Sequence, residues 1–219
     1  MLKKKSIFIT FEGIEGSGKS FQSKKLFNKI KKAKLPVILT REPGGSRSAE
    51  IIRKVLLSGK KDKFTKLTDT FLYLASRNEH LENTIKPAIK KKQIIICDRF
   101  IDSSIAYQVY GHGINKKLID FIHKRILDNI KPDLTFILKL NIKKAFKRVN
   151  NRKRKNRYDK FSKKFYMKAQ KGFIDIAKYN KKRCFILDTS KDSDDTEKKI
   201  YNKFIEILKK WRKKLKALQ

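Results

Sequence analysis

The sequence predicts an α/β fold of three layers, in which a five-stranded parallel sheet carries helices on both faces. Two patterns in the chain support this prediction. Short apolar, β-branched runs alternate with segments whose apolar residues recur every three or four positions. A glycine-rich loop also separates the first apolar run from the first helical segment. Ligands of such a sheet bind beyond the carboxyl ends of its strands, where we expect the functional site.

Five apolar runs have the length and composition of buried strands. The first, Ser6-Ile7-Phe8-Ile9-Thr10-Phe11-Glu12, leads directly into the glycine-rich loop. The third, Ile94-Ile95-Ile96-Cys97-Asp98, ends in an acid. The predicted strands are residues 6–12, 36–40, 94–98, 134–140 and 184–188.

Helical segments fill the intervals between these strands. Phe21, Leu26, Phe27 and Ile30 have the spacing of one helix face, and Ser46 is a suitable N-cap for the next helix. The turn Gly111-His112-Gly113 ends a later helical segment. The predicted helices are residues 21–33, a helix after Ser46 that carries residues 51–56, and residues 67–82, 84–92, 103–110, 116–130, 142–150, 161–180 and 195–215.

The loop after the first strand has the pattern G-x-x-x-x-G-K-S. It consists of Gly13, Ile14, Glu15, Gly16, Ser17, Gly18, Lys19 and Ser20. Glycines let the backbone approach a phosphate, and free N–H groups at the helix start attract the anion. In this pattern the lysine ammonium group contacts the β- and γ-phosphates, and the serine hydroxyl is a ligand for Mg²⁺. The sequence therefore predicts a P-loop fold that binds ATP phosphates at these residues.

Two charged segments follow other predicted strands. Asp98 ends its strand as a carboxylate for the Mg²⁺ shell, and Arg99 comes next. Arg41 and Glu42 follow the second strand and bring charge to the same edge of the sheet. We therefore expect the metal ligands to be Ser20 and Asp98.

The chain has 219 residues with a formal net charge of +37. We expect one domain, residues 1–219, with no membrane span and no separate signal peptide. Nucleic-acid binding is one interpretation of the charge. The other, which we favour, is compositional drift in an A/T-rich genome. Lysine is spread over the whole chain, and the chain is also rich in isoleucine, asparagine and phenylalanine, which share A- and T-rich codons with lysine. Cys97 lies near the end of one apolar run and Cys184 at the start of another, so we expect buried thiols rather than a disulfide.

The residue inventory favours phosphoryl transfer to a phosphate acceptor. The candidate site is rich in cations and has no obvious nucleophile. We expect His80, His112 and His123 to be surface residues, and no Cys/His spacing suggests zinc. A GTPase is disfavoured because no Asn-Lys-x-Asp segment occurs. A phosphate acceptor is largely dianionic at pH 7 and needs cations rather than a general base. A nucleoside monophosphate kinase fits these features.

The chain resembles the bacterial thymidylate kinases along nearly its whole length. The resemblance rests on four segments, which are 11–20, Thr40-Arg41-Glu42-Pro43-Gly44-Gly45, 98–108 and Pro132-Asp133-Leu134-Thr135. It implies Mg²⁺-dependent transfer of the γ-phosphate of ATP to dTMP, giving dTDP and ADP, in dTTP biosynthesis. It also implies a cytoplasmic homodimer, with no specific nucleic-acid partner expected.

The resemblance assigns roles by position in the sequence. Arg99 would grip the dTMP phosphate, with Arg53 as a second phosphate contact and Glu42 near the sugar. Arg77 and Gln108 would read thymine. The nucleoside pocket would be completed by Ser103, Ser104, Tyr107 and Tyr73, which stands in place of a stacking phenylalanine.

A basic lid at about residues 150–161 completes the resemblance. Arg157 would reach the phosphates being transferred, so the predicted catalytic residues are Lys19, Arg99 and Arg157. Residues 151–157 are dense in cations and predict a mobile loop. Asn156 replaces a frequent aspartate, and Arg152 and Arg154 lie in the same loop, which leaves the identity of the acting cation open.

Two other functions remain as alternatives. One is a kinase for a different nucleotide, which a panel of nucleoside monophosphates would distinguish. The other is a nucleic-acid binder built on this fold, which would show strongly salt-dependent DNA binding. The motifs favour the kinase, whereas the binder accounts only for the charge.

Overall fold

The computed structural model describes residues 6–60, 62–151, 156–190 and 193–216. Its strands form one parallel sheet in the order β2-β3-β1-β4-β5. The predicted fold class is confirmed, and each predicted strand is present with its ends within two residues of the prediction. The strands are β1 (Phe8–Glu12), β2 (Val37–Arg41), β3 (Ile94–Asp98), β4 (Leu134–Lys139) and β5 (Cys184–Asp188).

The helices follow the predicted order. Ser46 is the N-cap of its helix, as predicted, and its hydroxyl accepts from the Ala49 N–H. Among the described residues, no helix is both long and apolar enough to cross a membrane. The helices are α1 (Lys19–Lys32), α2 (Arg47–Leu57), α3 (Lys66–His80), α4 (Lys86–Lys90), α5 (Ile101–Ser104), α6 (Lys116–Ile126), α7 (Ile142–Asn150), α8 (Lys163–Tyr179) and α9 (Ser193–Lys216).

Side chains of β1 alternate between two apolar layers. Ile9 and Phe11 pack on one face of the sheet with Leu26 of α1 and Phe204 of α9. Phe8 packs on the other face, in the cluster that includes the segment between α3 and α4. Helices cover both faces of the sheet. We therefore expect a binding site at the carboxyl ends of the strands, where polar residues lie.

Two π-helical segments interrupt the helices that border this edge. Leu81–Ile85 joins α3 to α4, and Ile105–Gly111 continues α5. The second segment packs on α8 at Gly172, where a Cβ would lie 2.9 Å from the Tyr110 ring. Only a glycine at this position allows the two elements to approach so closely.

Of the predicted mobile loop, residues 151–157, the structure describes Asn151, Asn156 and Arg157. Residues 152–155, including Arg152 and Arg154, lie outside the described residues. Arg157–Lys160 forms a 3₁₀ turn, capped by Asn156 and Asp159 in a reciprocal capping box. Arg157 and Tyr158 are buried, because polar and aromatic partners hold this segment in place of the apolar anchors that the sequence lacks.

Candidate active site

The phosphate loop lies between the carboxyl end of β1 and the start of α1. Gly13 has a φ of +139°, and a Cβ there would lie 2.5 Å from the Leu138 carbonyl oxygen. Only glycine fits this approach of two backbones. α1 begins after Gly18, and its first N–H groups have no carbonyl partner within the helix. Those groups and the helix dipole favour an anion at this position.

Lys19 is buried beneath this loop. Its ammonium group donates to the Ile14 carbonyl oxygen at 2.8 Å. The Ile14 side chain belongs to the apolar core, so only the backbone of Ile14 takes part in the phosphate-binding loop. Burial lowers the pKa of Lys19 to about 8, with Arg99 adding to this effect and Asp98 opposing it. An anion beside Lys19 would favour its charged form.

Ser20 and Asp98 come together from α1 and β3. The Ser20 hydroxyl donates to Asp98 Oδ2, while Asp98 Oδ1 is buried with no hydrogen-bond partner among the described residues. A hydroxyl beside a free carboxylate oxygen suits Mg²⁺, which takes its remaining ligands from phosphates and water. No group of three or more His, Cys, Asp or Glu side chains in the described ranges is placed to hold a metal.

Arg99 follows Asp98 with a φ of +74°, and its guanidinium contacts the phosphate loop. It donates to the Gly13 carbonyl oxygen and to Glu15 Oε1, each at 2.9 Å. Glu15 Oε2 accepts from the Tyr107 hydroxyl at 2.6 Å. A loop carboxylate therefore balances the cation that is predicted to bind the acceptor phosphate.

Glu12 holds the segment that carries Arg99. Its carboxyl oxygens accept from the Phe100 N–H at 2.7 Å, from the Ser103 N–H at 3.3 Å and from the Ser103 hydroxyl at 2.6 Å. Burial raises the pKa of Glu12 to about 8, and the charge of Asp102 adds to the rise. Sequence reasoning missed this role, although an acid that ends a buried strand is a signal for it.

Arg77 of α3 is the centre of a buried polar network. Its guanidinium donates to Glu42, to the Phe100 carbonyl oxygen and to the Ser104 hydroxyl at 2.6–2.8 Å. Burial alone would raise the pKa of Glu42, but Arg77 and His80 hold it below its usual value. The network therefore keeps a charged pair, Arg77 with Glu42, beside the pocket.

The prediction of surface histidines is wrong for two of the three. His80 is fully buried and hydrogen-bonds Glu42 Oε1 at 3.0 Å and the Thr40 hydroxyl at 2.7 Å. His123 is also buried, and its Nε2 accepts from Arg77 Nη1 at 2.7 Å. Burial, and then the charge of Arg77, lowers the pKa of His123 to about 3. His112 is half-buried.

One pocket at the carboxyl edge of the sheet brings together every residue that is predicted to bind substrate. Lys19, Ser20 and Asp98 line the same pocket, as does Glu15. Leu57 and Tyr158 also line it and were missed, since one ends an ordinary amphipathic helix and the other follows a run of cations. The predicted residues in the pocket are Glu42, Arg53, Tyr73, Arg77, Arg99, Ser103, Ser104, Tyr107 and Gln108.

The structure does not bring Arg157 to this pocket. Its guanidinium binds Asp69 of α3 and lines a separate cavity with Phe64 and Phe161. Another cation touches the phosphate loop instead, since Arg148 of α7 donates to the Gly16 carbonyl oxygen at 3.1 Å. Sequence reasoning missed Arg148 because it lies within a regular helix, before the cationic run.

The chain is similar to known proteins of one family in sequence and in fold. Residues 11–200 match a protein-family model described as thymidylate kinase. The chain is 42% identical to the thymidylate kinase of Wolbachia pipientis subsp. Culex pipiens over 97% of its length and all of the relative. It is 39% identical to that of Mycoplasma capricolum, over 92% of this chain and 94% of the relative. The crystal structure of thymidylate kinase from Ehrlichia chaffeensis superposes with a TM-score of 0.74 at 36% identity, covering 93% of this chain and 98% of that one.

Proposed function

The chain belongs to the thymidylate kinase family, and from that premise we propose that it transfers the γ-phosphate of ATP to dTMP, giving dTDP and ADP for dTTP synthesis. One observation carries this proposal. One pocket at the carboxyl edge of the sheet is lined by Glu15, Lys19 and Ser20 of the phosphate loop and by every residue assigned to the acceptor.

The chemistry requires charge neutralisation rather than a base. The phosphate of dTMP is mostly dianionic at pH 7 and acts as the nucleophile without losing a proton to the protein. Lys19 holds the β- and γ-phosphates from the α1 side, and Arg99 holds the acceptor phosphate from the β3 side. Separating two repelling anions with fixed cations is the main catalytic task in phosphoryl transfer.

Ser20 and Asp98 hold Mg²⁺ in this proposal. Held there, the metal would supply positive charge to the phosphates of ATP. The free carboxylate oxygen of Asp98 beside the Ser20 hydroxyl supports this assignment.

The nucleoside binds against the ring of Tyr73, with Gln108 and Arg77 at its base edge. Arg77 is 2% exposed and already donates to Glu42, Ser104 and the Phe100 carbonyl oxygen. A thymine carbonyl oxygen would accept from guanidinium N–H groups of Arg77 that these hydrogen bonds already hold in place. The network therefore fixes the orientation in which Arg77 meets the base.

The enzyme acts as a homodimer through α2 and α3. Exposed apolar side chains recur four residues apart on both helices, at Ile51 and Val55 and at Leu67 and Phe71. An apolar patch of this kind marks an interface. We place the protein in the cytoplasm, whose reducing conditions suit the free, buried thiols of Cys97 and Cys184.

The direct test follows labelled γ-phosphate from ATP into dTDP, with Mg²⁺ present. We expect one ADP for each dTDP, and no transfer after chelation of Mg²⁺. Lys19→Ala should remove nearly all turnover while its circular dichroism stays native, since the side chain holds phosphate and is not an apolar core residue. ADP formation without labelled dTDP, or near-normal turnover in folded Lys19→Ala, would overturn the assignment.

A further inference from the structure

A cluster of three side chains outside the phosphate site joins the lid to α3; we call it the Asp69 clasp. It consists of Asp69, Arg157 and Tyr158. Arg157 Nη2 donates to Asp69 Oδ1 and, at 2.9 Å, to the Tyr158 hydroxyl. The Tyr158 hydroxyl in turn donates to Asp69 Oδ2. Each member therefore contacts the other two.

The clasp is closed to solvent. The Arg157 side chain is 1% exposed and that of Asp69 is 5% exposed. The guanidinium also lies over the rings of Phe64 and Tyr158, at 5.5 and 5.0 Å from their centroids. Removing either partner of a buried ion pair strands the other charge in an apolar setting, so the two residues depend on each other.

Tyr158 connects the clasp to the nucleoside pocket. It lines the pocket together with Tyr73, and the two rings meet edge to face with centroids 5.6 Å apart. The Tyr166 hydroxyl fixes the backbone by donating to the Tyr158 carbonyl oxygen at 2.8 Å. The clasp thus sets the position of an aromatic wall beside the ring that is proposed to stack on thymine.

We propose that Asp69 and Arg157 are positioning residues for the acceptor nucleoside: they hold Tyr158 in the pocket wall, and Arg157 does not act at the transferred phosphates. This inference rests on the proposed function of the pocket. The cations that contact the phosphate loop among the described residues, Lys19, Arg99 and Arg148, remain for the phosphates.

Asp69→Asn distinguishes this role from a catalytic one, because it breaks the clasp and leaves Arg157 present. We expect Asp69→Asn, Arg157→Gln and the double variant to raise the KM for dTMP by a similar factor, roughly tenfold, as expected when a positioning contact is lost. Effects that do not add identify one shared interaction. The KM for ATP should stay near the wild-type value. Asp62→Asn, a change at an exposed residue on the rim of the same cavity, is the control.

The opposite pattern overturns the proposal. If Arg157→Gln abolishes turnover with an unchanged KM for dTMP, while Asp69→Asn behaves as wild type, Arg157 acts at the phosphates. Should Asp69→Asn fail to fold, Tyr158→Phe removes the hydroxyl alone and keeps the ion pair. A raised KM for dTMP in Tyr158→Phe supports the clasp, and an unchanged value contradicts it.

Hydrogen exchange separates failure of the clasp from failure of the proposed function. The lid amides of Asp159 and Phe161 donate to the carbonyl oxygens of Asn156 and Tyr158. We expect these amides to exchange faster in Asp69→Asn and Arg157→Gln than in wild type, whatever nucleotide the enzyme uses. Unchanged exchange in both variants would refute the clasp, whereas a wild-type enzyme inactive on dTMP would refute only the function.

Discussion

At the scale of a single residue, Arg99 connects the phosphate loop with the end of β3. Its guanidinium touches the phosphate loop through Gly13 and Glu15, while its backbone follows the Mg²⁺ candidate Asp98. Glu12 fixes this arrangement by holding the N–H groups of Phe100 and Ser103. In the proposed complex, the acceptor phosphate would share Arg99 with Glu15.

Arg99→Ala should weaken dTMP binding more than ATP binding. It removes a charge-assisted contact worth about 1.5–3 kcal/mol, which is roughly a ten- to hundredfold rise in the dissociation constant. Calorimetric titration of each nucleotide measures the two affinities. Arg125→Ala, at an exposed position on α6, is the control and should change neither. Equal losses for both nucleotides in Arg99→Ala would show that Arg99 is not specific to the acceptor.

His123 gives folding a defined pH dependence. Its pKa is about 3 in the folded protein, whereas about 6.5 is usual in an unfolded chain. Below pH 6.5 the unfolded state therefore binds a proton that the folded state does not. Between pH 7 and pH 5 we expect a loss of about 2 kcal/mol in the free energy of unfolding from this residue.

Urea unfolding at pH 7 and pH 5 measures the His123 effect. His123→Gln keeps an acceptor for Arg77 but cannot titrate, so its loss of stability between the two pH values should be smaller than that of wild type by this amount. An identical pH dependence in both proteins would show that His123 accepts a proton freely in the folded state.

At the scale of elements, the strands and the phosphate loop could be predicted because their signals are local. An apolar run of about five residues and a glycine pattern need no knowledge of distant partners. The π segment Ile105–Gly111 could not be predicted, because the wider turn forms where α8 packs closely at Gly172. The buried state of Arg157 depends on Asp69, 88 residues earlier in the chain, and no sequence spacing reveals that pair.

The proposed α2–α3 interface is tested by one substitution. Phe71 is 46% exposed on α3, and Phe71→Glu would place a charge within the apolar patch. We expect the variant to sediment as a monomer where wild type sediments as a dimer. Met167→Glu on α8, at a position that is 59% exposed, is the matched control and should remain dimeric. A dimeric Phe71→Glu, or a monomeric wild type, would exclude this interface.

At the scale of the whole molecule, the fold and the pocket explain the sequence motifs, but they do not explain the net charge of +37. The buried histidines show why the sequence alone could not complete the site. His80 and His123 lie next to other polar residues on their helices, and their buried positions depend on contacts with Glu42 and Arg77, which are distant in the sequence. Any binding to nucleic acid that follows from the charge alone should weaken steeply with salt.

The most direct test of the account is the acceptor preference of the purified wild-type enzyme. ADP formation is measured with ATP and Mg²⁺ over a range of concentrations of dTMP, dUMP, AMP, CMP or GMP. We predict the highest kcat/KM for dTMP, with dUMP lower by roughly tenfold for its missing methyl group and the other three near background. An equal or higher kcat/KM for AMP, CMP or GMP would contradict the account.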